Sequence, residues 1–536
     1  MIKKVNNMKK KIYIVLVMFA SLAVVFNGCN KSELEELYPD PGKTSVATVP
    51  QFFTGLLASA NEVVLPWYWR FFVVEQPTLG LYTQAMGIQN APEMYVPGAS
   101  PVDWRWNQFY NGPMTKYRVF QSLYNDLSEE EQAEQRIFYL AATIFFYDQS
   151  QQLVDLFGDI PWSEAGMVRE IGDLDESLPK YDAGADIYAA MITDLKAIAQ
   201  ELHSISVDSY TAGVFANKDY INQGVVAQWE KYANSLRLRM LGRASAVSLP
   251  GINIAQEVTE ILGNPGTWPV VESNAENIML IGEDALQATT SSGTGGIRQA
   301  METWGVYDLA PKAVCDFMVN NSDPRLEVMF DPNINGEYAG LDPLMNGTQQ
   351  TQAISDGLVA RYDTATYTRN NHFPGWIIGA AEVYFMKAEA AVAAGMDGQA
   401  KAAYEMGVRM SIEHYYNINK TGDYRDPLPD PTVDAVATYL GAPDVSWDTN
   451  ANKLELIATQ KWLDFGLATL TQTWSEMRRL DAPHVDLSPD NSSASGQTMP
   501  PMRYKYPASE QALNADNYSA VANKDKLTTK VFWDVN

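Results

Sequence analysis

The stretch AAEVYFMKAEAAVAAGMDGQAKAAYEMGVRMSIEHYY, residues 380–416, decides the fold class. Alanine is the strongest helix former, and it recurs on both sides of Gly395-Met396-Asp397-Gly398. The spacing therefore predicts two helices, Ala380 to Ala394 and Gln399 to Tyr415, joined by a short turn. Ala388, Ala391, Ala403 and Gly407 are small enough to let the two axes approach closely. The pair has the size of a tetratricopeptide unit, with that repeat's consensus partly met.

Working outward, the same period recurs. Ser128-Glu129-Glu130-Glu131 has capping-box spacing and opens a run with Ile137, Leu140, Ala141, Ile144 and Phe145 on one face. This predicts a helix to about Phe157, with Gly158 as C′ and Pro161 beyond it as the stop. Further helices are expected near Asp186 to Leu202, over Val225 to Val247, and from Lys453 past Gly466 to Leu480. Between them, residues 159–180, 204–222, 284–310, 331–375 and 417–450 are rich in Gly, Asn, Asp, Thr and Pro. Loops of that length are uncommon unless they do something. The reading is a mainly α chain, an α-solenoid of tetratricopeptide-like helix pairs with long irregular loops as its working surface.

The N-terminus precedes this unit. Lys3, Lys4, Lys9, Lys10 and Lys11 come before an uncharged run from Ile12 to Phe26, 15 residues long. A spanning helix needs roughly 20, so residues 1–28 read as a signal peptide, started at Met1 or Met8. The run ends in Phe26-Asn27-Gly28-Cys29, which resembles a bacterial lipobox, making Cys29 the expected lipidated residue. Residues 29–49 then form a polar, proline-bearing tether, and residues 50–536 one globular domain. With Cys29 carrying lipid, Cys315 has no partner for a disulfide and is expected as a small buried residue. Acids at Glu33, Glu35 and Glu36 resemble the surface-export signal of Bacteroidetes-type lipoproteins, and read equally as a solvated linker.

Across the whole chain 65 acids face 39 bases, a formal charge of −26, and loss of residues 1–28 removes five lysines to leave −31. Such a chain repels phosphate backbones, which argues against nucleic acid. Catalytic motifs fail on inspection. The four histidines, His203, His372, His414 and His484, hold no metal-binding spacing, and G-x-S-x-G does not occur. Gly42-Lys43-Thr44 lacks the first P-loop glycine, where Leu37 stands, and Gly293-Thr294-Gly295 lacks the last glycine of its motif, replaced by Arg298. A non-enzymatic binder without a cofactor is the expectation, although the number of acids leaves a glycosidase-like carboxylate pair open.

Two patterns remain. Asp331, Asn333, Asn335 and Asp342, with Gly336 between, follow calcium-loop spacing, but Pro332 is awkward and an Asn-Gly turn produces the same pattern. The better lead is aromatic, because 28 Tyr, 19 Phe and 13 Trp exceed what a core requires. Trp67-Tyr68-Trp69-Arg70 and Asp103-Trp104-Arg105-Trp106-Asn107 each put rings two residues apart beside a guanidinium. Ring faces stack on sugar CH faces while Arg70 and Asn107 offer hydrogen bonds to hydroxyls. Trp304 and Tyr362 lie in the middle loops and complete the candidate set with Trp67, Trp69, Trp104 and Trp106. The same W-x-W segments also fit a half-buried strand or loop packed on helices.

Several stretches, in order, resemble the SusD/RagB family of Bacteroidetes outer-membrane nutrient-binding lipoproteins: LVDLFGDIPWSEA (153–165), WEKYANSLRLRM (229–240), DPRLEVMFDP (323–332) and AEVYFMKAEAAVAAG (381–395). The series continues with QKWLDF (460–465), WSEMRRLDAP (474–483), PPMRYKYPASEQALNADNY (500–518) and KVFWDVN (530–536). The resemblance implies a helical fold with tetratricopeptide-like pairs. It also implies a SusC-like TonB-dependent outer-membrane transporter as partner, to which the protein hands oligosaccharide or, in one branch, peptide. It assigns no ligand-contacting ring by motif, so the site residues above rest on ring chemistry.

Overall fold

The computed structural model describes residues 48–173, 177–280, 295–303 and 307–536. The leader, Cys29 and the tether as far as Ala47 lie outside the described residues, as does Trp304. Val49–Asn536 forms one compact unit. Its principal helices are α1 (Val49–Leu57), α2 (Ala99–Phe109), α3 (Thr115–Asn125), α4 (Arg136–Phe157), α5 (Gly184–Ser204) and α6 (Val226–Arg243). They continue with α7 (Ile254–Gly263), α8 (Ala380–Ala393), α9 (Asp397–Thr421), α10 (Lys453–Phe465) and α11 (Leu470–Leu480). A π-helical stretch, Trp69–Gly80, runs between α1 and α2.

The chain is mainly α, and its most extensive packing is within the pairs α8/α9 and α5/α6. In the first pair, a Cβ placed on Gly407 would sit 2.6 Å from the Phe385 ring, so glycine is what permits the approach. The second helix runs further than its alanine content suggested, to Thr421. Its last turns bury Tyr415, Tyr416 and Ile418. At Ser128 the capping box forms: the Ser128 backbone N–H donates to Glu131 at 2.9 Å, and the Glu131 N–H returns to the Ser128 hydroxyl. The helix it opens ends at Glu134, however, and α4 begins anew at Arg136. Gly158, at φ 79°, stops α4 as expected. Gly466, at φ 42°, divides the expected 453–480 helix into α10 and α11.

The core of this scaffold is unusually ionic. Arg239 on α6 pairs with Glu382 on α8 at 2.6 Å and with Asp148 on α4 at 3.1 Å. One turn on, Arg243 reaches Asp155 on α4 at 2.6 Å and Glu476 on α11 at 2.9 Å. Glu476 also accepts from Lys461 of α10 at 2.9 Å and from Arg479 at 2.5 Å. All of these side chains are buried or nearly so. Apart from Asp148 and Arg243, these groups stand in the eight stretches quoted above, which explains why those stretches read as scaffold. Buried ions persist only when paired and hydrogen-bonded, so each pair fixes how its two helices register.

The connections are less irregular than their composition suggests. Helices Ser209–Lys218, Gly347–Ser355 and Val433–Leu440 lie within the expected loops. Three two-stranded antiparallel ribbons pin others: β1 (Ile160–Pro161) with β2 (Tyr181–Asp182), β3 (Ile278–Leu280) with β6 (Gly375–Ile378), and β4 (Phe330–Asp331) with β5 (Arg361–Tyr362). Cys315 is fully buried and its thiol is free, with burial pushing its ionisation up. Among the described residues no helix is long and apolar enough to cross a membrane.

Candidate ligand-binding surface

The second W-x-W segment is helical; in the first, Trp67 has no regular secondary structure and the helical run begins at Tyr68. Trp69 opens the π-helical stretch and Trp104 and Trp106 lie on α2. Residues two apart on a helix point to opposite sides, which separates Trp104 from Trp106. Trp106 turns inward and is 3% exposed, wedged against Tyr110, Phe157 and Tyr506 at centroid distances of 4.8, 5.0 and 5.8 Å. Trp104 turns outward, is half-buried, and meets Trp67 at 6.2 Å with the planes 54° apart. Trp67 is itself held by its Nε1, which donates to the Glu62 carbonyl at 3.0 Å. Trp69 is 39% exposed, and Asn107 on α2 is exposed.

A second ring pair, which ring spacing alone did not single out, lies next to the first. Tyr68 stacks on Phe72 at 5.4 Å with planes 15° apart, and Phe72 meets Tyr307 edge-on at 5.0 Å. All three are partly exposed. The i, i+4 spacing of Tyr68 and Phe72 is the signal that was there to be read once the segment is known to be helical. Half-exposed rings fixed by packing on their other face present rigid apolar area at little entropic cost, the property a sugar-stacking surface needs.

Three candidates are corrected. Arg70 is 7% exposed, with Nε donating to Glu75 at 2.7 Å and Nη1 to the Val64 carbonyl, so its guanidinium is committed inward. Trp106 is core, as described. Tyr362 is 2% exposed, packed against Phe330 and Tyr367 at 4.9 and 5.1 Å, with its hydroxyl donating to the Ala85 carbonyl. A ring needs an open face to stack on a ligand, and neither Trp106 nor Tyr362 has one.

The calcium-like spacing is a turn. Asn333 Oδ1 accepts the N–H groups of Asn335 and Glu337 at 2.9 and 3.0 Å, and Gly336 takes φ 79°. Asp331 faces Arg425 at 3.0 Å and accepts two bonds from Thr364, while Asp342 accepts the Leu344 N–H at 2.8 Å. The oxygens that would have converged on a cation are spent on backbone and guanidinium. Among the described residues no group of three or more His, Cys, Asp or Glu could hold a metal ion.

Residues 84–507 match the SusD-like family described as starch-binding and associating with outer membrane, and the chain belongs to that family. It is a binding protein rather than an enzyme. Among solved structures it is similar to a chitin-binding protein, at TM-score 0.72 and 21% identity over 91% of this chain and 100% of that one. It is also similar to a Bacteroidetes AC2a SusD-like protein, at 0.71 and 19% over 91% and 100%, and to a chitin-binding SusD homologue from Flavobacterium johnsoniae, at 0.67 and 21% over 91% and 99%. At these identities the likeness establishes the fold. Among curated proteins, none matches the chain.

Proposed function

We propose that this protein is a surface lipoprotein, anchored in the outer membrane through Cys29, that captures nutrient oligosaccharides and passes them to a SusC-like TonB-dependent transporter. The observation that carries the ligand class is the pair of adjoining ring clusters, Trp67/Trp104 and Tyr68/Phe72/Tyr307, held open at one face. Trp69 and Asn107 are assigned to the same surface. Family membership and the names of the two chitin-binding neighbours support a glycan over a peptide. The lipobox-like Gly28-Cys29 supports the anchor. A mature charge near −31 leaves membrane attachment to the lipid, because an anionic leaflet repels the chain.

Calorimetric titration of the soluble form from Lys31 onward with chito- and malto-oligosaccharides tests the reading. Stacking on a few rings predicts micromolar or weaker affinity for one series, and loss of one ring predicts about a tenfold drop, the equivalent of roughly 1.4 kcal/mol. Binding to a peptide panel with neither glycan series bound would overturn the ligand class. Retention of a Cys29→Ser variant in the membrane fraction would overturn the anchor.

A further inference from the structure

Where the last turns of α9 meet the β3/β6 ribbon, Met279, Pro374, His414, Asn417, Ile418 and Thr421 line a cavity of about 430 Å³. Among the described residues no Asp, Glu, Lys or Arg lines it, in a chain that holds 65 acids. The cavity adjoins the first ring segment. Gly375, next to Pro374, packs so closely on Val64 that an added Cβ would sit 2.9 Å from that side chain, three residues before Trp67.

His414 is 4% exposed, and its tautomer follows from its neighbour. Asn277 Oδ1 accepts the Ala380 N–H at 2.8 Å, which leaves Asn277 Nδ2 to donate to His414 Nδ1 at 3.3 Å. Nδ1 is therefore an acceptor, and the proton stands on Nε2. Burial keeps the imidazole neutral, pushing its pKa down to about 3. Yet Nε2 is buried without a hydrogen-bond partner. The Trp376 ring, 3.9 Å away with the planes 76° apart, offers it only a ring face, which is a weak acceptor, or a second N–H donor. A buried donor left unanswered is costly, so the cavity wants an acceptor. On the same wall Asn417, partly exposed, carries an amide with no hydrogen bond among the described residues.

These groups select among the substituents a sugar can carry. A carboxylate or an ammonium would bring in a charge that no lining side chain answers. A hydroxyl supplies an acceptor but nothing apolar to cover Met279, Pro374 and Ile418. An acetamido group supplies both, with a carbonyl oxygen for His414 Nε2, a methyl for the apolar wall and an N–H for the Asn417 oxygen. We propose that this cavity is a subsite for the acetamido group of an N-acetylated sugar, set beside the ring surface. The subsite rests on the glycan reading above and narrows it to N-acetylated ligands.

Calorimetric titration with chitotriose and with cellotriose, which carries a hydroxyl in place of each acetamido group, tests it. Chitotriose is expected to bind about tenfold tighter, and the preference to vanish in His414→Phe, which keeps an aromatic ring and removes the donor. Crystals soaked in N-acetylglucosamine are expected to show the acetamido oxygen at hydrogen-bonding distance from His414 Nε2. Equal affinity for the two sugars, a preference that survives His414→Phe, or a soaked sugar lying on the rings alone with water in the cavity overturns the subsite and leaves the ring reading standing. Malto-oligosaccharides bound with neither of these sugars does the same, whereas silence toward every glycan overturns both. Should His414→Phe fail to fold, Asn417→Ala, at a partly exposed position, is expected to cut the preference about threefold, and with the soak it decides.

Discussion

Trp104 and Trp106 differ by two positions and by almost everything else. At about 100° per residue a helix sends them roughly 200° apart, so one ring faces solvent and the other fills the core. Trp104→Ala is expected to weaken glycan binding while leaving the urea midpoint nearly unchanged. Trp106→Ala is expected to cost about 3–5 kcal/mol of stability and to leave the affinity of the folded fraction intact. Equal effects of the two substitutions on affinity would show that both rings face the ligand. Asp464 makes a different residue-level statement. Burial pushes its carboxyl up to about 7, against the pull of Ser411 and Arg325. The folded state therefore holds a proton that the unfolded chain has released above about pH 4, so this group lowers stability as pH rises from about 4 to 7 and adds no further slope above. Asp148, raised to about 6, acts in the same direction. Asp464→Asn should flatten the decline in Tm between pH 5 and pH 8, making the variant the more stable protein at pH 8. An unchanged pH profile would refute the assignment.

At the scale of elements, the test case is the α8/α9 pair. Gly407→Ala improves helix propensity by about 1 kcal/mol, which by itself predicts stabilisation. The new methyl would meet the buried Phe385 ring at 2.6 Å, and overpacking of this kind costs about 1–3 kcal/mol. The packing term should win, giving a lower Tm; a rise would mean that Phe385 yields freely. This pair was legible in the sequence because helix propensity, small residues and a Gly-rich turn are all local signals. The capping box at Ser128 was legible for the same reason, whereas the break at Gln135 was not, since no Gly or Pro marks it. The W-x-W segments were misread because two aromatics two apart fit a strand, and the surrounding sequence of Trp69–Gly80 includes Pro77, which argues against an ordinary helix. Without the helical geometry, Trp106 and Arg70 were aimed at solvent when both point inward.

Over the whole molecule, what the sequence hid is pairing across long separations. The quoted stretches carry Asp155, Arg239, Glu382, Lys461, Glu476 and Arg479, and Arg243 stands just past one of them; on a local reading these charges belong on a surface. They are buried because each meets a partner from a distant helix, and no periodicity announces that. The C-terminal KVFWDVN is the clearest instance. It looks like a tail, yet Trp533 is fully buried, with its Nε1 donating to Asp155 at 2.8 Å. The guanidiniums of Arg243 and Arg478 lie over its ring at 5.3 and 4.8 Å. Tyr504, upstream, donates its N–H to the Leu156 carbonyl, also at the end of α4. The last segment thus closes the hub where α4, α6 and α11 exchange charges. Trp533→Phe keeps a ring over the two arginines and removes one donor to a buried carboxylate, which predicts a loss of about 1–3 kcal/mol. Deleting residues 530–536 removes ring and donor together and should cost at least the roughly 3–5 kcal/mol of a Trp→Ala change in a core. Because the hub joins helices from both halves of the chain, unfolding in urea should remain a single transition at a lower midpoint. A truncated chain that loses only a minor early phase, with its main midpoint unmoved, would show that the segment is an accessory to the hub and does not hold it together.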